Sequence, residues 1–350
     1  MSAPIRFGLV SFAHYHAGFW AQAVNDHPEA RLVGVWDDDP PRGTQAAARH
    51  ATRYFDDLDA LLRECDAVGI TSETVRHAEH VEQAARAGVH VLCEKPMAAT
   101  LADCDRIHRA VEASGITFMQ NFPKRFDPIN HELVGRVQRE DLGRVVLVRI
   151  RHGHDHGRRP EFRRTWFVDP DRSGGGTLLD EGVHAADFLL WMLGPPAHVT
   201  AVTSNRALGL RTEDTAVALF AFPNGALADV VVGWNFVAAE QSVEIYGSEG
   251  SALLAGVDLA SKEFSRMPFL KVFRDGAPRG TWESSPTVPA FGSGTFHHGG
   301  PRHFIECLRR GQRPALGVED GRRAVEMILA AYRAAAGGRR EPVVFARPSP

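Results

Sequence analysis

Cysteine is scarce in this chain of 350 residues, which has four: Cys65, Cys93, Cys104 and Cys307. None shows the paired spacing of a metal site, and all stand in apolar or helical contexts. A disulfide framework is therefore not expected, and reduced thiols of a cytoplasmic protein are. Charge of one sign is missing too. Lysine and arginine total 40 against 43 acidic residues, a net charge of −3, so no basic footprint exists for nucleic acid or an anionic membrane. Long apolar runs are absent: no window approaches the roughly 18 residues of a membrane span, and the N-terminus enters a strand with no apolar leader. There is no internal repeat and no low-complexity tract.

Hydrophobic content of 44% and charged content of 24% are those of an ordinary globular protein, and the length is that of two domains. From the N-terminus to about Asn121 strands and helices alternate. Strands are predicted at Ile5 to Val10, Arg31 to Trp36, Ala67 to Ile70, Val89 to Leu92 and Thr117 to Gln120, with amphipathic helices between them. Such alternation builds βαβ units on a parallel sheet, a doubly wound Rossmann-like domain over residues 1–122. Beyond it the pattern changes to strands joined by short turns, among them Pro223-Asn224-Gly225. Residues 123–350 then read as an α+β domain with an open, mostly antiparallel sheet, closed by helices at Pro301 to Arg310 and Val318 to Ala336.

Chemistry concentrates in three places. At the end of a buried strand Pro96 holds Glu94-Lys95 in an extended or tight turn, possible as a cis peptide, where ligands of open α/β sheets bind. After strand one, G-x-G-x-x-G is absent: Ser11, Ala13 and His16 fall where its glycines belong. A pyrophosphate would still be approached by Ser11, Phe12, Ala13 and His14, with His14 or His16 either donating to a phosphate or capping the helix. Asp37, ending strand two, is placed to bind the ribose hydroxyls of NAD and to repel the extra phosphate of NADP. The third place is Ser173-Gly174-Gly175-Gly176 ahead of a helix predicted over Thr177 to Leu193. There Asp180 and His184 share a face one turn apart, continued by Asp187, and the glycines let a ligand or another backbone come close. Histidine suits proton transfer near neutral pH.

In this order the pieces resemble the Gfo/Idh/MocA family of NAD(P)-dependent oxidoreductases, along the whole chain. The residues that carry the resemblance are Glu94-Lys95-Pro96 with its preceding helix, GGGTLLDEGVHAADFLLWMLG, Glu213-Asp214-Thr215, the turn Tyr246 to Ser251 and the closing helical segment. The resemblance implies Lys95 as catalytic lysine, His184 as acid/base and Asp180 as an assisting substrate carboxylate. It implies cofactor contacts at Glu94, Lys95, Thr71 and His77, and substrate contacts at Lys124, Arg163 and Trp166. It further implies a sugar or polyol substrate, NAD before NADP, and a homodimer or homotetramer formed through the open sheet. Thr71-Ser72-Glu73 departs from the family's usual Thr-Pro-Asn. Two other readings stand beside the dehydrogenase: a nicotinamide-assisted glycosidase or lyase, and a non-catalytic dinucleotide or sugar sensor. His152, His154 and His156 alternate and would share a strand face able to hold zinc, but no metal is needed for the implied chemistry.

Overall fold

The computed structural model describes residues 3–237, 240–258, 268–275, 282–291 and 294–345. Its first sheet is built from β1 (Ile5–Val10), β2 (Ala30–Trp36), β3 (Arg53–Phe55), β4 (Ala67–Ile70), β5 (His90–Cys93) and β6 (Phe118–Gln120), in the order β3-β2-β1-β4-β5-β6. Every pair is parallel. The crossovers are α1 (His16–Asn25), α2 (Pro40–Arg49), α3 (Leu58–Arg63), α4 (His77–Arg86) and α5 (Leu101–Ser114). Sequence dictates their starts: Asp39, Asp57 and Thr100 each accept a first-turn amide as N-caps. The strand order reverses between β1 and β4, so the carboxyl ends of β1, β2, β4 and β5 open onto one crevice. Only three residues long, β3 has too little alternation to be read beforehand.

The second sheet follows α6 (Pro128–Gln138), which leads into β7 (Val145–Gly153). After β7 come α7 (Pro170–Ser173), α8 (Thr177–Asp180), α9 (Gly182–Leu193), β8 (His198–Ser204), β9 (Thr215–Ala221), β10 (Leu227–Gly233), β11 (Glu240–Gly247), β12 (Gly250–Asp258), β13 (Leu270–Arg274) and β14 (Trp282–Ser284). The order is β14-β13-β12-β11-β7-β10-β9-β8-β15, where β15 is Glu341–Pro342, and only β7 with β10 is parallel. Gly225 turns the β9–β10 hairpin at φ +88°. One face packs under α9 and α11 (Val318–Gly337); on the other, Val146, Val202, Val217, Leu219 and Leu227 stand exposed. The chain then returns to the first sheet: Phe304 and Ile305 of α10 (Gly299–Arg310) join the Phe7, Leu9 and Trp20 core. No helix among the described residues is long and apolar enough to cross a membrane.

The predicted helix over Thr177 to Leu193 is two helices, broken at Glu181. The strand on which His152, His154 and His156 are expected to alternate ends at Gly153, so of the three only His152 lies in the sheet. Both differences shape the site.

Candidate active site

The turn after β1 makes up for its missing glycines. Ser11 adopts φ +70°, the left-handed conformation a first glycine would supply, and its hydroxyl accepts the Ala13 amide at 3.1 Å. Thr71 at the end of β4 clamps the same turn, donating from its hydroxyl to the Ser11 carbonyl at 2.7 Å and accepting the His14 amide at 2.9 Å. Asp37 is buried and accepts the Phe12 amide at 2.7 Å, so the two dinucleotide-reporting positions are tied together. Arg42, which sequence reasoning passed over, forks onto Asp37 at 2.5–3.1 Å and reaches Asp38 at 2.8 Å. His14 accepts the His16 amide through Nδ1 at 3.1 Å, which puts its ring proton on Nε2, where it is buried without a partner. That orphan donor, at the turn where an anion would be held, fits a pyrophosphate.

At the end of β5 the Lys95–Pro96 peptide is cis. Glu94 is buried, accepts the Lys95 amide at 3.0 Å and lies 3.2 Å from His16 Nδ1; burial raises its carboxyl above the usual range. His77 faces the Pro96 carbonyl at 2.9 Å and the Ser72 carbonyl at 3.1 Å, pinning the Glu-Lys-Pro turn to the loop after β4. Glu73, in the segment that departs from the family pattern, accepts from Arg172 and so ties that loop to the glycine run.

Lys95 is buried, yet burial does not neutralise it: Asp180, Glu181 and Glu94 outweigh desolvation and raise its affinity for the proton. Its ammonium donates to Asp180 Oδ1 at 2.6 Å and to the Asp180 carbonyl at 3.1 Å. The helix breaks for this reason. In a continuous helix that carbonyl would accept the His184 amide; captured by Lys95, it leaves that amide to bond Glu181 O at 3.2 Å. Asp180 Oδ2 accepts Trp234 Nε1 at 3.1 Å. The three glycines admit another backbone. A Cβ on Gly176 would meet the Glu213 carbonyl at 2.2 Å, and Glu213 Oε1 accepts the Gly176 and Leu178 amides at 3.1 and 2.9 Å.

The break turns Glu181 into a cavity of about 420 Å³ lined also by His152, His154, His184, Lys124 and Gln241, with Tyr15, His16 and His297 on another wall. Glu181 accepts from His152 Nε2 at 2.7 Å and His154 Nε2 at 3.1 Å, and its carboxyl is held well below the usual range by these imidazoles against the effect of burial. Burial, reinforced by Lys124, lowers His152 to about 4. Burial, then Lys95 and His152, hold His184 well below its ordinary value, so it is a neutral imidazole; its Nδ1 is buried without a partner. His152, Glu181 and His184 offer ligand atoms within 4.8 Å of one another, as do His14, His16 and Glu94. The His152–Glu181 spacing of 2.7 Å is that of a hydrogen bond; ligands around zinc stand about 3.3 Å apart. The strand face expected for the three histidines ends at Gly153: His152 in β7 and His154 just beyond it converge on Glu181, while His156 sits in a following turn against His154, ring centres 4.1 Å apart.

His184 and Lys124 line the cavity; Lys95 and Asp180 pair outside that lining, with Lys95 still close enough to act on His184. Arg163 and Trp166 lie elsewhere. Arg163 donates to the Gly157 and Leu208 carbonyls, and buried Trp166 donates to the Ala13 carbonyl at 3.0 Å, so an aromatic loop roofs the dinucleotide turn. Asp187 pairs with Arg125 at 2.8–2.9 Å, away from His184's cavity. Sequence reasoning passed over Glu181 because a continuous helix would point it away from Asp180 and His184. Its position directly after the helix's first acid was the available signal.

Two family models match, the oxidoreductase family's NAD-binding Rossmann fold over residues 5–122 and the GFO/IDH/MocA C-terminal domain over residues 131–253. Inositol 2-dehydrogenase 2 of Saccharopolyspora erythraea is 30% identical over 75% of this chain and 74% of its own. D-apiose dehydrogenase of Paraburkholderia graminis is 28% identical over 96% of this chain and 88% of its own. Among solved structures, GenD2 from gentamicin A biosynthesis, in complex with NAD, is similar with a TM-score of 0.81 at 27% identity, over 98% of this chain and 97% of its own. The chain belongs to the Gfo/Idh/MocA family of NAD-binding oxidoreductases.

Proposed function

We propose that the protein oxidises a secondary alcohol of a sugar, inositol or related polyol, or runs the reverse reduction, with His184 as proton acceptor and Lys95, held by Asp180, as the stabilising cation. The observation that carries this reading is a buried lysine kept charged, near enough to lower the proton affinity of a buried, neutral imidazole that lines the cavity. Bound NAD supplies the hydride acceptor. His184 takes the hydroxyl proton as hydride leaves, a transfer its neutral ring is ready for. Lys95 stabilises the negative charge growing on that oxygen, and Asp180 keeps the ammonium aimed. Ser11 to His14 and Thr71 hold the pyrophosphate end, Asp37 the ribose, and Glu94 and His77 the turn that fixes Lys95. Asp37 also favours NAD over NADP. Relatives named for inositol, D-apiose and other sugars support the substrate class.

The exposed Val202, Val217 and Leu219 on the free face of the second sheet support a homodimer or homotetramer, and four free, buried thiols suit a cytoplasmic setting. A panel of sugars and inositols assayed for NADH formation with the wild type and with Lys95→Met tests the reading. NADH from at least one member, lost in the variant, is the expected result.

A further inference from the structure

We propose that the substrate is a sugar acid, whose carboxylate is received by Lys124 while its carbinol faces His184. This rests on the reading of the cavity as the place of alcohol oxidation.

Lys124 follows β6 in the turn Pro123–Phe126, is only 8% exposed and lines the cavity. Its best polar contact is Gln241 Oε1 at 3.4 Å, far beyond the roughly 2.8 Å of a charge-assisted bond, and its ammonium lies 5.9 Å from the Phe188 ring centre. Among the described residues no carboxylate forms an ion pair with it. The two acids that bear on it are already engaged. Asp127 accepts the amides of Ile129 and Ala290 at 3.2 and 3.1 Å, and Glu181 is held by His152 and His154. A buried cation in that condition is costly unless a counter-charge arrives, and the open side of this one is the cavity. Burial lowers its proton affinity to about 8, so it is still mostly charged at neutral pH.

The wall is graded. Beside Lys124 stands the Gln241 amide, whose nitrogen is 3.5 Å from His152 Nε2, and 5.1 Å separates the ring centres of His152 and His184. One end of the cavity therefore carries the Lys124 ammonium, without a direct ion pair among the described residues, and the other a neutral base. A carboxylate satisfies the first, and a hydroxyl donates to the second. Bond changes stay at the hydroxyl end: the carbinol C–H pair leaves as hydride to NAD+, the O–H proton goes to His184, and C=O forms. A neutral sugar leaves the ammonium uncompensated and gains less by binding.

The test is calorimetric titration of the NAD-saturated protein with matched pairs: D-glucuronate and D-glucose, D-galacturonate and D-galactose, D-gluconate and D-sorbitol. At least one acid is expected to bind on the order of 10–100-fold tighter than its partner, with that preference erased in Lys124→Met and kept in Lys124→Arg. No acid exceeding its partner, or a preference that survives Lys124→Met, overturns the proposal. NAD titration checks that each variant is folded. Should Lys124→Met fail it, Lys124→Gln takes its place: the acid preference must be lost in that variant, and its survival there overturns the proposal. NADH is read in the same samples. Preferred binding of an acid without NADH condemns the dehydrogenase reading and leaves the carboxylate subsite standing.

Discussion

Lys95 donates to both the side chain and the main-chain carbonyl of Asp180, at 2.6 and 3.1 Å, and in doing so opens the helix between Asp180 and His184. One ammonium thus sets an acid, a break and the direction of Glu181. Lys95→Met should lower turnover on the order of 10³-fold or more, since the developing charge and Asp180 both lose their cation, while NAD affinity, assigned to Ser11 to His14 and Asp37, stays within a few-fold. Steady-state rates beside NAD titration check this, and a variant as active as the wild type removes Lys95 from the chemistry.

Gly176→Ala should destabilise the fold, because the new Cβ would lie 2.2 Å from the Glu213 carbonyl, a backbone atom that cannot swing aside. A loss of about 1–3 kcal/mol is expected, read as a fall in Tm with the unfolding cooperative. An unchanged Tm would show that the Glu213 clamp on the glycine run gives way freely.

Acid should weaken the fold between about pH 6.5 and 4. Burial lowers His80 to about 3 and His152 to about 4, both below their unfolded value near 6.5. In that window the unfolded chain binds more protons than the folded one, so stability rises with pH and is lost as pH falls. Each ring contributes on the order of 3 kcal/mol, offset in part at the acid end by Glu94 and Asp180, whose carboxyls are raised by burial. Tm measured across the window should drop steeply, and His80→Gln should flatten the drop.

Arg42→Ala should loosen the dinucleotide turn by freeing Asp37, which Arg42 holds through both carboxylate oxygens. Weaker NAD binding by roughly 10-fold is expected from the loss of this positioning contact. Calorimetry with NAD and NADP reads the change directly, and an unaltered affinity would show that the Phe12 and Asp39 amides suffice to orient Asp37.

Much of this was legible in the sequence because local chemistry decided it. The Rossmann strands follow from apolar runs between capped helices, and Asp39, Asp57 and Thr100 announce their own helix starts. Lys95, Asp180 and His184, the residues proposed for the chemistry, were singled out through motif and resemblance. What escaped depends on contacts distant in sequence. Lys95 and Asp180 are 85 residues apart, so no periodicity within Thr177 to Leu193 could show that the helix opens there, or that Glu181 turns toward two histidines on β7 and its extension. Trp166 was expected at the substrate and instead bonds Ala13, 153 residues away. The short edge strands β3, β14 and β15 hold too few residues to show a period.

The central claim is that Lys95 and His184 serve an NAD-dependent alcohol oxidation in one cavity. The most direct measurement is NADH formation from the sugar, inositol and sugar-acid panel by the wild type, Lys95→Met and His184→Phe, each first shown to bind NAD. The account predicts NADH from at least one compound with the wild type and a loss on the order of 10³-fold in both variants. NAD bound tightly with no NADH from any compound, or wild-type rates in either variant, would contradict it.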